Sequence, residues 1–290
     1  MNLKRAQPWG CSSVSFRTYR KKKLKFLCFS NEEKLKIASF AASGLSGFFG
    51  AAGALSFNWI VQWWLGRDMK QVNGLALFTI SISAVVSIVI RGLWRVQPIH
   101  ADWQRAKLLG LSIGFGMLGV ILGKFFEQRL KERRLRISFI GMLLFVGVKM
   151  LGLVPLGFFT LFSDKQATAV IWSLIAGISS PPLGMGAGVF LVPAFLGMNF
   201  SRDESILGSL IVSAVLMLFG SWLFRRSRQL ELHDMRHVWL PALIGTPIGV
   251  WLSYQISPEH FHVIFCMLLI IGAVKTFCDI SISPKLRRSI

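Results

Sequence analysis

The sequence predicts an all-α integral membrane protein of about eight transmembrane helices, arranged as two parallel four-helix repeats, each opening on a broken or re-entrant helix. Three observations carry this. Hydrophobic residues make up 53% of the 290-residue chain and charged residues only 16%, with mean hydropathy +0.57. A soluble domain carries about 25% charged residues and could not cover so much apolar surface. Apolar runs long enough to cross a bilayer recur along the chain, about 17–25 residues each. Two of these runs, one in each half, are too long for a single span and are interrupted by glycine and proline.

The first element, residues 1–36, is a basic tail. It holds Lys4, Arg5, Arg17, Arg20, Lys21, Lys22, Lys23, Lys25, Lys34 and Lys36 against Glu32 and Glu33 alone. Its apolar stretch Leu24–Phe29 is too short and too basic for a secretory signal. A cytoplasmic tail resting on anionic lipid is one reading and an organelle transit peptide is the alternative. Lysine outnumbers arginine here, which favours the tail.

The apolar runs follow at 37–65, 74–94, 108–126 and 137–155, then at 168–199, 205–224, 238–254 and 260–278. They divide the chain into a first repeat at 37–162, a second at 163–280 and a basic C-terminal tail at 281–290. Trp63, Trp64, Trp94, Trp103, Trp222 and Trp239 fall near run ends, where an interfacial aromatic belt belongs. A run of about 30 residues would reach about 45 Å as a helix, against a hydrocarbon core of about 30 Å. The run 37–65 is interrupted by Gly44, Gly47, Gly50 and Gly53. The run 168–199 contains Pro181-Pro182, then Gly184-Met185-Gly186-Ala187-Gly188, then Pro193.

Internal similarity supports the repeat. Gly50 and Gly74 align with Gly184 and Gly208, Gly119–Gly123 with Gly249–Ser253, and Val148-Lys149 with Val274-Lys275. Four runs per half make the repeat parallel, with the N-terminus inside the cell. Most Lys and Arg of the +20 chain then fall on the cytoplasmic side, as the positive-inside rule requires. The link 124–136, with Lys124, Arg129, Lys131, Arg133, Arg134 and Arg136, violates the rule in this arrangement. The positive charge is thus accounted for by topology, and nucleic acid is not expected as a partner.

The acids sit in links, tails or run ends, which speaks against a membrane-embedded carboxylate relay. His100 and His233 occupy similar loop places in the two halves and read as surface residues. Cys11, Cys28, Cys266 and Cys278 form no metal-like or disulfide framework. There is no HExxH, nucleophile elbow or P-loop, so neither an enzyme nor a cofactor is expected. Backbone chemistry remains. A helix interrupted in the membrane offers free N–H groups and a partial positive charge at the start of its second half. Glycine lets an anion approach them. The candidates are Gly184, Gly186 and Gly188 with Ser209 and Ser213, and in the first half Gly50 and Gly53 with Asn73 and Thr79. The plainer reading of these glycines is close helix packing. Lys149 and Lys275 read as snorkelling to the interface, or else as attracting an anion at the pore mouth.

The stretch Gly177-Ile-Ser-Ser-Pro-Pro-Leu-Gly184-Met-Gly186-Ala-Gly188-Val-Phe-Leu-Val-Pro193 resembles the glycine-rich signature of the TauE/SafE sulfite exporter family, with Ala187 replacing its middle glycine. Ile206-Leu207-Gly208-Ser209-Leu210 sits where the family opens its next span. In the first half Gly50-Ala51-Ala52-Gly53-Ala54 is a degraded copy, with Trp59 at the proline position. The resemblance implies an eight-span permease of the cell (inner) membrane, moving small anions such as sulfite or organosulfonates. An organelle membrane is the alternative location. The expected partners are the anionic substrate and the lipid bilayer, and homo-oligomerisation is compatible with both. The competing class is a non-transporting membrane scaffold or assembly factor.

Overall fold

The computed structural model describes residues 30–50, 53–65, 69–94, 103–150 and 164–286, and every regular element among them is an α-helix. The helices are α1 (Asn31–Phe49), α2 (Gly53–Leu65), α3 (Met69–Trp94), α4 (Trp103–Arg129) and α5 (Glu132–Met150). They continue as α6 (Lys165–Leu183), α7 (Gly188–Gly197), α8 (Arg202–Arg226), α9 (Leu232–Gln255) and α10 (Pro258–Leu286). Three are long and apolar enough to cross a membrane: Val72–Trp94 within α3, Gln104–Arg129 within α4, and α8. Gly188–Gly197 and Val263–Val274 are shorter apolar helical stretches. Apolar side chains such as Val89, Leu118, Ile121, Ile244, Ile248, Met267 and Ile271 face outward, as a lipid-facing surface requires.

Capping boxes start two of the helices. The Glu33 N–H donates to Ser30 Oγ while the Ser30 N–H donates to the Glu33 carboxylate at 2.7 Å. Ser201 and Glu204 repeat this at the start of α8. Each box satisfies two of the N–H groups that a helix start leaves without partners.

Contacts at the helix ends fix their directions. Glu32, at the start of α1, lies beside His233 and His237, at the start of α9. Lys124, late in α4, meets Gln229, between α8 and α9. At the opposite end Arg91, late in α3, donates to Gly47 O of α1 at 2.9 Å and to Ser253 Oγ of α9 at 3.0 Å. Arg202, opening α8, reaches Ser253 O, and its guanidinium lies 4.2 Å from the ring of Phe261, near the start of α10. The starts of α1, α3, α5 and α9 therefore share one end of the molecule with the finishes of α4, α8 and α10. We call it the N-terminal end. The starts of α4, α6, α8 and α10 share the other.

Each of the two overlong runs forms two helices with a reversal between them. The polypeptide turns back after Phe49, and Gly53 then packs against the carbonyl of Ala42 and against Ser46 in the helix it has just left. As a result α1 starts at the N-terminal end whereas α6 starts at the opposite end. The parallel arrangement expected from the sequence is not what forms, because that expectation treated each interrupted run as a single crossing. The link 124–136 moves to the N-terminal end, beside the other basic segments. The helix α10 also runs through Leu286, into the stretch read from sequence as a C-terminal tail.

The tightest packing joins the interrupted helices to α9 and α4. Gly249 of α9 lies on the backbone of Gly44, and Gly245 lies on Phe40 O. Gly177 of α6 lies on Gly116 O, and Gly119 and Gly123 lie on the carbonyls of Leu174 and Ile178. A Cβ at any of these would collide with backbone, so the α1–α9 and α4–α6 crossings depend on small residues.

Candidate functional site

The α6–α7 break is built from backbone. The sequence places Pro181-Pro182 at the break, but both prolines lie inside α6, which ends one residue later at Leu183. Gly184 then takes the left-handed conformation, φ 59° and ψ 32°, and reverses the chain. The residues from Pro181 through Pro193 are all buried. The last carbonyls of a helix have no partner within it, and in a protein interior each needs another donor.

Two asparagines supply those donors. Asn73 of α3 donates Nδ2 to Pro181 O at 3.1 Å and Pro182 O at 2.8 Å. Asn58 of α2 donates Nδ2 to Leu183 O at 3.0 Å and Gly184 O at 3.2 Å. All four terminal carbonyls are met by two amides. Both Oδ1 atoms remain buried with no hydrogen-bond partner, on side chains only 1% and 0% exposed. A Cβ on Gly184 would lie 2.5 Å from Asn73 Oδ1 and 2.6 Å from Asn58 Nδ2, so the glycine is held against both amides.

On the far side of the break α7 starts at Gly188. Its N-cap, Ala187, offers no side-chain acceptor. Gly186 O accepts weakly from the Val189 N–H at 3.4 Å, and Ala187 O from the Phe190 and Leu191 N–H groups at 3.1 Å. The positive pole of α7 therefore opens on buried glycine backbone with no side-chain cap. It can meet an anion's charge with N–H groups alone.

The structure brings some of the sequence-predicted residues together. Gly184, Gly186 and Gly188 form the break itself, and Asn73 grips it. Ser209 and Ser213 lie on α8 and Thr79 on α3, two helices that pack against each other. Thr79 Oγ1 donates to Leu75 O and Ser209 Oγ to Ile206 O, each within its own helix, while Ser213 Oγ is buried with no partner. Gly50 and Gly53 belong to the other break. Gly50 is left-handed, φ 72°, and its Cα faces Ile206 on the fifth residue of α8. Asn73 is the fifth residue of α3, so the two breaks lie toward opposite ends of the molecule.

Asn58 is a residue that the sequence reasoning missed. Its signal was available: an amide inside the apolar helix Gly53–Leu65 is costly unless it has a partner. Arg91, near the end of the run 74–94, is only 6% exposed. Its guanidinium meets Gly47 O in the last turn of α1, a cation at a helix C-terminus. Glu127 falls in the link 124–136 by sequence, yet it is fully buried in α4. Lys124 Nζ lies 2.9 Å from its Oε2 and 3.3 Å from the Phe224 ring centroid. Cys266 is a buried free thiol, as expected. His100, Cys11 and Cys28, and the side chains of Lys149, Lys275 and Cys278, lie outside the described residues.

The sequence matches known membrane proteins. The sequence model of the family described as "Sulfite exporter TauE/SafE" matches residues 11–150 and 169–289. A "Probable membrane transporter protein" of Haemophilus influenzae is 23% identical over 252 residues, covering 81% of this chain and 94% of that protein. No solved structure gives a significant match.

Proposed function

Since the chain belongs to the TauE/SafE sulfite exporter family, a family of membrane transporters, we propose that it is a multi-pass permease for small anions of the sulfite or organosulfonate type. The observation that carries the proposal is the uncapped start of α7 at Gly188, buried and opening on Gly184–Gly186. Such a terminus attracts negative charge without a buried lysine or arginine, which would bind a divalent anion too tightly to release it. The unpartnered Ser213 hydroxyl, between α3 and α8, serves as a neutral donor along the path, and Ser209 and Thr79 join it on turning away from their own helix carbonyls. The unpartnered oxygens of Asn58 and Asn73 accept a hydrogen bond from a hydrogen-bearing anion such as bisulfite. Gly50 and Gly53 form the corresponding turn near the other end.

The path lies between two inverted repeats, α1–α5 and α6–α10. The packing supports this reading. The α1–α9 contact has its counterpart in α6–α4, the α2–α3 contact in α7–α8, and the α3–α9 contact in α8–α4. Exchange of the two halves maps α3–α8 and α5–α10 onto themselves. Inverted repeats give a transporter two related conformations, reached by rocking one half against the other.

The N-terminal end faces the cytoplasm. Lys34, Lys36, Lys70, Arg129, Lys131, Arg134, Arg225, Arg226, Arg228 and Arg236 gather there, against Arg105, Lys107, Lys165 and Arg202 opposite. The bilayer concerned is the cell's inner membrane. Uptake of radiolabelled sulfite into proteoliposomes holding the purified protein, compared with Gly184→Val, tests the function. The native protein is expected to move sulfite and the variant to lose most of the flux. Absence of flux for every small anion would leave the scaffold reading in its place.

A further inference from the structure

From the surface at the N-terminal end we infer a divalent transition-metal site, formed by His233 and His237 of α9 with Glu32 of α1. This does not rest on the transport reading. The two histidines are four residues apart, so they project from one face of α9. Their Nε2 atoms are 3.5 Å apart, with the rings edge to face at 4.7 Å between centroids. Glu32 Oε2 is 3.8 Å from His237 Nε2 and Glu32 Oε1 is 3.9 Å from His233 Nε2. Two ligands at about 2.0–2.1 Å from a tetrahedral zinc ion are about 3.4 Å apart. The imidazole pair already has that separation, and each Glu32 oxygen must close by about 0.4–0.5 Å on the ring nitrogen nearest it. One ligand atom from each residue lies within 4.8 Å of the other two.

The chemistry of the set also points to a metal. Two imidazoles and one carboxylate are the protein ligands of many zinc sites that keep a position for water. Asp234 Oδ1 lies 4.0 Å from His233 Nδ1, the ring nitrogen turned away from the other two residues. That is longer than a hydrogen bond, and a small closure on metal binding would let the carboxylate accept the Nδ1 proton and hold the tautomer that leaves Nε2 free. Glu33, beside Glu32, is engaged in the Ser30 capping box, so only Glu32 is directed at the histidines. All three side chains reach solvent, with exposures of 53%, 66% and 20% for Glu32, His233 and His237. An ion can therefore enter without unfolding the helices. Because the ligands come from the starts of α1 and α9, bound metal ties the first interrupted helix to the helix it packs against most closely.

The test is zinc titration of the full-length, tag-free protein in detergent, followed by calorimetry. The native protein is expected to bind one more zinc equivalent than His233→Ala or His237→Ala. Glu32→Gln should weaken that equivalent about tenfold or more, which is about 1.4 kcal/mol. His260→Ala, an exposed histidine at the opposite end, should bind as the native protein does. Each variant should keep the native unfolding temperature without metal, since these side chains are at the surface. Equal zinc stoichiometry and affinity in the native protein and both histidine variants would overturn the site. So would failure of the native protein to bind zinc, or a Glu32→Gln variant that binds as tightly as native.

Discussion

Gly184 and Asn73 perform distinct physical tasks at the α6–α7 break. Gly184 holds a left-handed backbone and touches both asparagine amides, so a side chain there faces strain and collision together. Gly184→Ala is expected to cost on the order of 1 kcal/mol in strain alone, read as a lower unfolding temperature in detergent. Asn73 carries a different cost. Asn73→Leu leaves Pro181 O and Pro182 O without the amide that serves them, a loss of about 1–3 kcal/mol for each orphaned carbonyl. The same measurement should show it to be at least as damaging as Gly184→Ala. The Lys124–Glu127 pair follows another rule. Glu127→Gln leaves a buried ammonium without its carboxylate, which typically destabilises by about 3–5 kcal/mol. The double change Lys124→Met with Glu127→Leu should recover much of that loss. A double variant no more stable than Glu127→Gln would show that the pair itself, and not the orphaned charge, is what matters.

At the scale of helices, the small-residue crossings matter more than any one side chain. Gly249→Leu or Gly119→Leu should sharply reduce folded protein, because the new side chain meets the backbone of Gly44 or of Leu174. Gly114→Ala and Gly141→Ala should be silent, since a Cβ at either meets nothing within 4 Å. Yield after detergent extraction and gel filtration separates the two groups. The helices themselves were legible in the sequence. The runs 74–94, 108–126, 205–224 and 238–254 reappear inside α3, α4, α8 and α9, lengthened by a turn or so of polar residues. Apolar composition marks the part of a helix inside lipid, whereas its polar ends continue as helix and read as links. That is why Glu127 reads as part of the link 124–136. The glycines at 50 and 184 marked both breaks, because a left-handed residue needs glycine. Whether a broken helix continues across the membrane or turns back is decided by tertiary contacts, and periodicity carries no trace of it. The close approach of Gly53 to Ala42 O settles the reversal, and only the folded chain shows it.

That one reversal reorganises the whole molecule. Counting each interrupted run as a single crossing made the halves parallel and left the basic link 124–136 on the wrong side. Counting two helices per run turns the second half over and returns Lys131 and Arg134 to the end that carries Lys34 and Lys36. Single cysteines in a cysteine-free protein distinguish the two arrangements. Arg134→Cys and Asn31→Cys should react with an impermeant thiol reagent from one face, and Lys107→Cys and Lys165→Cys from the other. Labelling of Arg134→Cys and Asn31→Cys from opposite faces would restore the parallel order. The proposed function belongs to this scale too, because the anion path we propose lies between both halves. The most direct measurement is the flux of radiolabelled sulfite in proteoliposomes of purified protein, with native, Gly184→Val and Gly114→Ala forms compared per folded molecule. The account expects native flux above empty liposomes, retained in Gly114→Ala and nearly abolished in Gly184→Val. Equal flux in the native and Gly184→Val proteins would contradict it.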